Sequence, residues 1–490
     1  MNPQQLFVTK VPQKTWNFDI ILCSFFLFTI PYNFTDVLIR TFLGNNLFQF
    51  DWIIIVVACL RLGNILLTKK SIENRFLRYA LITFVPLFIV IVYTFAVTTF
   101  QTEFLQENGL YYSSISDGFI FRRGVKYLAY TALALYFASV VNTWQKFYTV
   151  LLALLASLCI VEILGLVQAI VFLGTGIDIF PITRTRETGL FYQSATVDFA
   201  GINFLRIKSL AHEPKGLAGM MYVLFIFKFY SPSLLLRAKQ YVKIPRFFAT
   251  YLQITWPLTI LVLLLTFSGS GLLSFGFIFT VIFLTSLGPL IVSGRISPNL
   301  IFVLLFILGA SLVMIQAPEK VNSFFDVSIM RRASGFFEER TIESLYSGST
   351  DPEDTAAIIN VIKFPIVVLT GVGFGGYSNL ALPIVVSMYG SGIPIETASA
   401  FSRNILIELL FSSGLVGIAG CLFFASRLLR NLRFYPDVIM PLTLVIVSSF
   451  LIRSNEVLFF VFIGIVCAVN CILKDETKQG WPSVKTLCRV

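Results

Sequence analysis

Uninterrupted apolar runs of about 20 residues, recurring from one end of a chain to the other, leave it few ways to fold. Each run is long enough to cross a bilayer, and a helix is the form in which it satisfies its own backbone there. Such runs fall at 18–32, 47–67, 77–98, 127–141, 147–173, 214–229, 252–267, 272–292, 300–316, 404–426, 436–452 and 457–473. They predict about twelve membrane helices, and an all-α polytopic membrane protein. Composition agrees: only 13% of residues are charged and the mean hydropathy is +0.83, against roughly 25% charged in a soluble domain. A net charge of +11 would suggest nucleic acid in a soluble chain. Here much of the positive charge sits in short loops, where it sets topology, so no nucleic-acid partner is expected. Of the seven cysteines, six lie in apolar runs and Cys488 in the tail, with no CxxC pair. That pattern points away from disulfides, redox chemistry and a metal site.

The basic residues also orient the chain. Lys69, Lys70, Arg75 and Arg78, then Lys146, then Arg237, Lys239, Lys243 and Arg246, then Arg295, then Arg427, Arg430 and Arg433 fall in alternate, short loops. The positive-inside rule makes those loops, and both termini, cytoplasmic. No small-residue cleavage site follows the first run, which is therefore expected to stay as a helix. The expected division is five spans in 1–174, a large external loop at 175–213, four spans in 214–316, and a second external loop at 317–403. Three spans in 404–473 and a cytoplasmic tail at 474–490 complete it.

In this topology three polar motifs stand at helix starts on the external face: His212-Glu213-Pro214-Lys215, Ser268-Gly269-Ser270-Gly271 and Ser402-Arg403-Asn404. Proline suits a first helical turn and serine or asparagine a cap. Helix N-termini fringed by Arg206, Lys215 and Arg403 suit an anion, and a diphosphate above all. His212 is the one histidine of the chain, and with Glu213 it offers a proton acceptor beside those cations. The second external loop adds Arg331 and Arg332, then glycines 371, 373, 375 and 376. A bare glycine run outside a βαβ unit is not a dinucleotide loop. It fits a close backbone approach or a tight turn, with Gly373 and Gly375 in supporting roles.

Two features lie within the spans. Glu162 is a lone carboxylate in the fifth, where an ionisable residue is a functional candidate or a partner for Gln168 or Arg61. Asn404 and Glu408 share a helix face four residues apart, while Gly414, Gly417 and Gly420 read as close helix packing.

The set Arg206…His212-Glu213-Pro214…Gly219, Leu265-Thr-Phe-Ser268-Gly-Ser-Gly271, Thr370-Gly-Val-Gly-Phe-Gly375 and Arg403-Asn404…Glu408…Gly414-Leu-Val-Gly417 resembles the O-antigen polymerase and O-antigen ligase superfamily of bacterial envelope proteins. The resemblance covers 206–417 by motif and the whole chain by topology only. It implies a GT-C-type membrane glycosyltransferase in the bacterial cytoplasmic membrane, acting at the outer face on polyprenyl-diphosphate-linked oligosaccharide, with no metal and no cofactor. Its diphosphate would lie against Arg206, Lys215, Arg331, Arg332 and Arg403, with Arg184 and Arg186 behind them. His212 or Glu213 would serve as base, and Ser268, Ser270, Asn404 and Glu408 would support. Chain-length regulators and export proteins are the partners such an enzyme would have, beside membrane lipid. Two departures matter. Gly269 stands where many relatives carry arginine, and the histidine lies in the earlier outer loop rather than the later one. The second favours a polymerase of O-antigen or exopolysaccharide repeat units over a ligase. A lipid-linked oligosaccharide flippase is the competing class; it predicts charges within the spans and two similar halves.

Overall fold

Inside a bilayer every backbone N–H and C=O must be bonded within the protein, and the helices of this chain follow its apolar runs closely. The computed structural model describes residues 17–31, 50–68, 75–109, 113–180, 182–185, 189–192, 196–199, 202–211, 214–293, 298–316, 352–389, 405–428, 436–451 and 456–478. The first helices are α1 (Phe18–Thr29), α2 (Phe50–Leu67), α3 (Arg75–Glu107), α4 (Ser113–Val140) and α5 (Trp144–Thr175). Two antiparallel hairpins follow, β1 (Ile182–Thr185) with β2 (Gly189–Tyr192) and β3 (Thr196–Phe199) with β4 (Ile202–Leu205). The central helices are α6 (Pro214–Phe229), α7 (Ser231–Ala238), α8 (Arg246–Ile254), α9 (Trp256–Leu265), α10 (Gly269–Ser293) and α11 (Pro298–Gln316). Three short helices come next, α12 (Pro352–Lys363), α13 (Pro365–Thr370) and α14 (Gly376–Tyr389), and then α15 (Ile405–Leu428), α16 (Pro436–Leu451) and α17 (Glu456–Lys478).

Among the described residues, four helices are long and apolar enough to cross a membrane: α3, α5, α15 and α17. Two bent pairs, α6–α7 and α8–α9, raise the number to six. This is a multi-pass, mainly α-helical membrane protein. Large apolar side chains on the span faces are exposed, among them Val92 on α3, Ile170 on α5 and Leu422 on α15, as lipid-facing residues must be. The β-hairpins are an addition to the all-α expectation and lie between α5 and α6, in the segment expected to be the first external loop. A second addition is the helical cap α12–α14 in the second loop, where Ala356, Ile359, Val367 and Leu380 build a small core against Leu105 of α3 and Phe411 of α15.

Both bends have a local cause. Pro232 and Pro257 lack the N–H that would bond the carbonyls four residues earlier, those of Lys228 and Gln253. The chain turns by 68° between α6 and α7 and by 58° between α8 and α9. The run 252–267, expected as one span, is therefore two helices. Between the breaks lies a buried charge cluster. Lys228 Nζ donates to both oxygens of Glu162, at 2.8 and 2.6 Å, and to the Thr255 carbonyl and hydroxyl, at 3.2 and 2.8 Å. Tyr251 Oη and Thr259 Oγ1 donate to the same carboxylate, and neither charged side chain is exposed at all. The expected partners of Glu162 are thus corrected. Arg61 instead grips Asp19 at 2.9 and 3.1 Å, joined by Tyr136 Oη at 2.8 Å, which fastens α1, α2 and α4.

Helix α15 breaks too. Gly414 leaves the helical region at φ 61°, so it is an interruption rather than one of three packing glycines; Gly420 does approach α3, at Val90. The carbonyls of Phe411 and Ser412 accept instead from the N–H groups of Val372 and Gly373, at 2.7 and 2.9 Å. Gly371 and Gly373 adopt φ 79° and 75°, and a Cβ on Gly371 would sit 2.6 Å from the Ser412 carbonyl oxygen. The glycine run is a plug of backbone into a broken helix.

Removing one member of the Glu162–Lys228 pair strands a buried charge, at a cost of about 3–5 kcal/mol. Glu162→Gln and Lys228→Met should each lower the thermal midpoint of the purified protein sharply, and the double variant should recover much of the loss. Additive losses in the double variant would contradict the pairing.

Candidate functional site

The segment that precedes α6, Arg206-Ile-Lys-Ser-Leu-Ala211, packs onto the C-terminal parts of α5 and α9. Ile207 N–H donates to the Leu265 carbonyl of α9 at 3.2 Å. Gln168 of α5 takes the next two donors on one oxygen, Lys208 N–H at 3.1 Å and Ser209 N–H at 2.8 Å. Its amide nitrogen donates to Asp178 Oδ1 at 2.7 Å, which also accepts from Phe180 N–H. Ser209 turns through φ 51° and its hydroxyl reaches the Val161 carbonyl at 2.8 Å. An irregular segment among apolar helices is tolerated only with its backbone bonded in this way. Gln168, expected as a partner of Glu162, is the residue that does most of this.

Two of the three helix starts meet here. Gly271, in the first turn of α10, lies so close to α6 that a Cβ on it would come 2.5 Å from the Ala218 Cβ. Ser268 Oγ accepts the Gly271 N–H at 3.3 Å, and its own N–H donates to Thr266 Oγ1. Ser268 is therefore a buried cap at the expected position. The same turn is joined to the β3–β4 hairpin through Phe267 and Phe204, whose rings are 6.0 Å apart. Arg206 is half-buried at one end of the segment and Lys215 half-buried in the first turn of α6. His212 and Glu213, between them in sequence, lie outside the described residues, as do Arg331, Arg332, Arg403 and Asn404. The side chains of Ser270 and Arg184 are not described either, and Arg186 falls outside.

Lys208 is the residue that sequence reading passed over. It is only 4% exposed, and burial pulls its amine down to about 8 despite the opposing pull of Asp178. Its one signal in sequence is its place two residues from Arg206, which does not distinguish it from a surface lysine.

Glu408, Gly373 and Gly375 belong to a different place. Glu408 is buried at the wall of an apolar cavity of about 100 Å³, with Thr94, Tyr127, Phe374, Ser412 and Phe424 around it. Gly373 is committed to the plug against Thr98, and Gly375 turns through φ 79° just before α14. Tyr377 is buried against Phe411, ring centroids 5.2 Å apart.

What the first place offers chemically is a fixed stretch of backbone bearing Arg206 and Lys208, followed at once by a helix N-terminus with Lys215 in its first turn. Cations beside a helix N-terminus attract a phosphate. No family model matches this chain, and no curated protein matches it.

Two outcomes follow. Gln168→Leu removes the acceptor of two buried N–H groups, each costing about 1–3 kcal/mol; the thermal midpoint should fall by more than Gln168→Glu causes. Lys208 has a folded pKa of about 8 against an ordinary value of 10.5. Between those values the unfolded chain binds more protons, so stability should rise with pH there and be flat below. Midpoints measured across that range should show the rise in the wild type and lose it in Lys208→Met.

Proposed function

We propose that this protein is a membrane glycosyltransferase that polymerises polyprenyl-diphosphate-linked oligosaccharide repeats, of O-antigen or exopolysaccharide type. It works at the outer face of the bacterial cytoplasmic membrane, with about twelve spans and both termini inside. The observation that carries the reading is the anchored cationic segment, Arg206 to Ala211, bonded to Gln168 and Leu265 at the head of α6. Rigid placement of cations and helix N-terminal donors is what a leaving diphosphate needs, because charge develops on it as the bond to sugar breaks. The sequence pattern of the O-antigen polymerase and ligase superfamily adds the substrate class.

In this reading the acceptor hydroxyl of one repeat attacks the anomeric carbon of the sugar on the donor lipid. A new C–O bond forms there as the bond to the diphosphate oxygen breaks with its electron pair. The hydroxyl proton passes to His212 or Glu213, and polyprenyl diphosphate departs against Arg206, Lys208 and Lys215, with Arg331, Arg332 and Arg403 as further candidates. No metal is invoked, because the arginines and lysines carry the charge. The flippase alternative would draw on Glu162, whose carboxylate is already taken by Lys228, Tyr251 and Thr259; that saturation favours a structural role. The ligase alternative shares the chemistry and differs in acceptor.

Purified wild type should convert the lipid-linked repeat into a ladder of longer lipid-linked products, indifferent to chelator. His212→Ala should lose about 10²–10⁴-fold in rate if the histidine is the base. A ladder that persists in His212→Ala but not in Glu213→Gln moves the base one residue on. Absence of any ladder from a folded wild type removes the polymerase reading.

A further inference from the structure

Residues 231–254, at the opposite end of α6 and α9 from the candidate site, have a chemistry that the transferase reading does not use. Helices α7 and α8 are too short to cross a bilayer and are turned 68° and 58° away from the spans they adjoin. From Pro214 the chain descends through α6 for about 24 Å at 1.5 Å per residue, and α7 adds only a few ångströms along that axis. The hairpin therefore sits about one hydrocarbon thickness, roughly 30 Å, from the external helix starts.

Each arm has one face on the protein and one away from it. Leu234, Leu235 and Ala238 of α7 and Ala249 and Leu252 of α8 are buried, while Leu236, Phe247 and Ile254 are exposed at 71, 82 and 65%. Lys239, Lys243 and Arg246 are exposed around the turn between the arms, and Arg237 stacks 4.4 Å over the Trp144 ring at the foot of α5. No Asp or Glu occurs anywhere in 231–254. Exposed aromatic and aliphatic groups beside a run of cations with no acid describe a surface for an anionic bilayer interface.

We propose that 231–254 is an interfacial hairpin that seats Phe247 and Leu236 among acyl chains and holds anionic phospholipid headgroups on Lys239, Lys243 and Arg246. On the orientation set by the basic loops, the leaflet is the cytoplasmic one. The occupant is lipid rather than an acidic protein segment because the apolar residues share the surface with the cations, and a water-exposed docking face would leave Phe247 and Ile254 in water. The proposal is independent of what reaction the outer site performs.

Native mass spectrometry of the full chain, released from micelles holding phosphatidylglycerol and phosphatidylcholine together, reads the headgroup preference. Wild type should retain phosphatidylglycerol selectively. The preference should fall by about fivefold for each residue changed among Lys239→Gln, Lys243→Gln and Arg246→Gln, as expected for a cation near an anionic surface. Independently of those variants, Phe247→Trp in vesicles should show fluorescence quenched by bromines near the headgroup end of the acyl chain, beyond the quenching of wild type. A preference unchanged in the triple variant, or an unquenched tryptophan at 247, overturns the proposal. So does wild type that binds polyglutamate from solution yet shows no preference between the two lipids, because the surface is then a protein dock.

Discussion

Much of the architecture around the candidate site hangs on one ion pair. From Pro214 to Pro318 the sequence contains no acidic residue, so the ammonium of Lys228, buried within the bundle, has to find its counter-charge on another helix. Glu162 supplies it, and the carboxylate is completed by Tyr251 and Thr259 from the two helices that flank the second break. Lys228 in turn bonds the Thr255 carbonyl and hydroxyl at that break. One cluster thereby fixes α5, α6, α8 and α9 in register. Gln168 stands six residues beyond Glu162, about 9 Å further along α5, and it sets the position of the segment 206–211. A slip of α6 against α5 would separate the cationic segment from the helix start it precedes.

The same requirement, that no backbone group in lipid go unbonded, explains the irregular parts. Proline opens two spans, and at the second break the Lys228 ammonium bonds the Thr255 carbonyl and hydroxyl. Glycine opens α15, and the N–H groups of Val372 and Gly373 close that one. The plug in turn is held by α3, where Thr98 accepts the Phe374 N–H and Tyr93 donates to the Thr370 carbonyl. The helical cap α12–α14 is therefore tied to the membrane bundle through main-chain bonds and not by side-chain packing alone.

The apolar runs made the helical membrane class legible, since length and hydropathy decide that class by themselves. Ser268 as a cap and Pro214 as a helix start were legible because both act locally. The breaks were half-legible: Pro232 and Pro257 stand at them, but Pro86 and Pro441 lie inside unbroken helices, so proline alone does not locate a bend. Glycines 371, 373 and 414 had a readable need for close approach, while what they approach is each other's segment, about 40 residues apart along the chain. The pair Glu162–Lys228 is separated by 66 positions, and no local rule reaches that far. The two β-hairpins were missed because four-residue strands carry too short an alternation to register.

Whether the anchored cations serve bond breaking is tested most directly by phosphorus NMR of proteoliposomes supplied with the lipid-linked repeat on the outer side. A transferase releases one unsubstituted polyprenyl diphosphate for every glycosidic bond formed, and that signal should grow in step with product length. Substrate that crosses the bilayer with its sugar–diphosphate bond intact, and no free polyprenyl diphosphate, would contradict a transferase and leave the buried charges to a transporter.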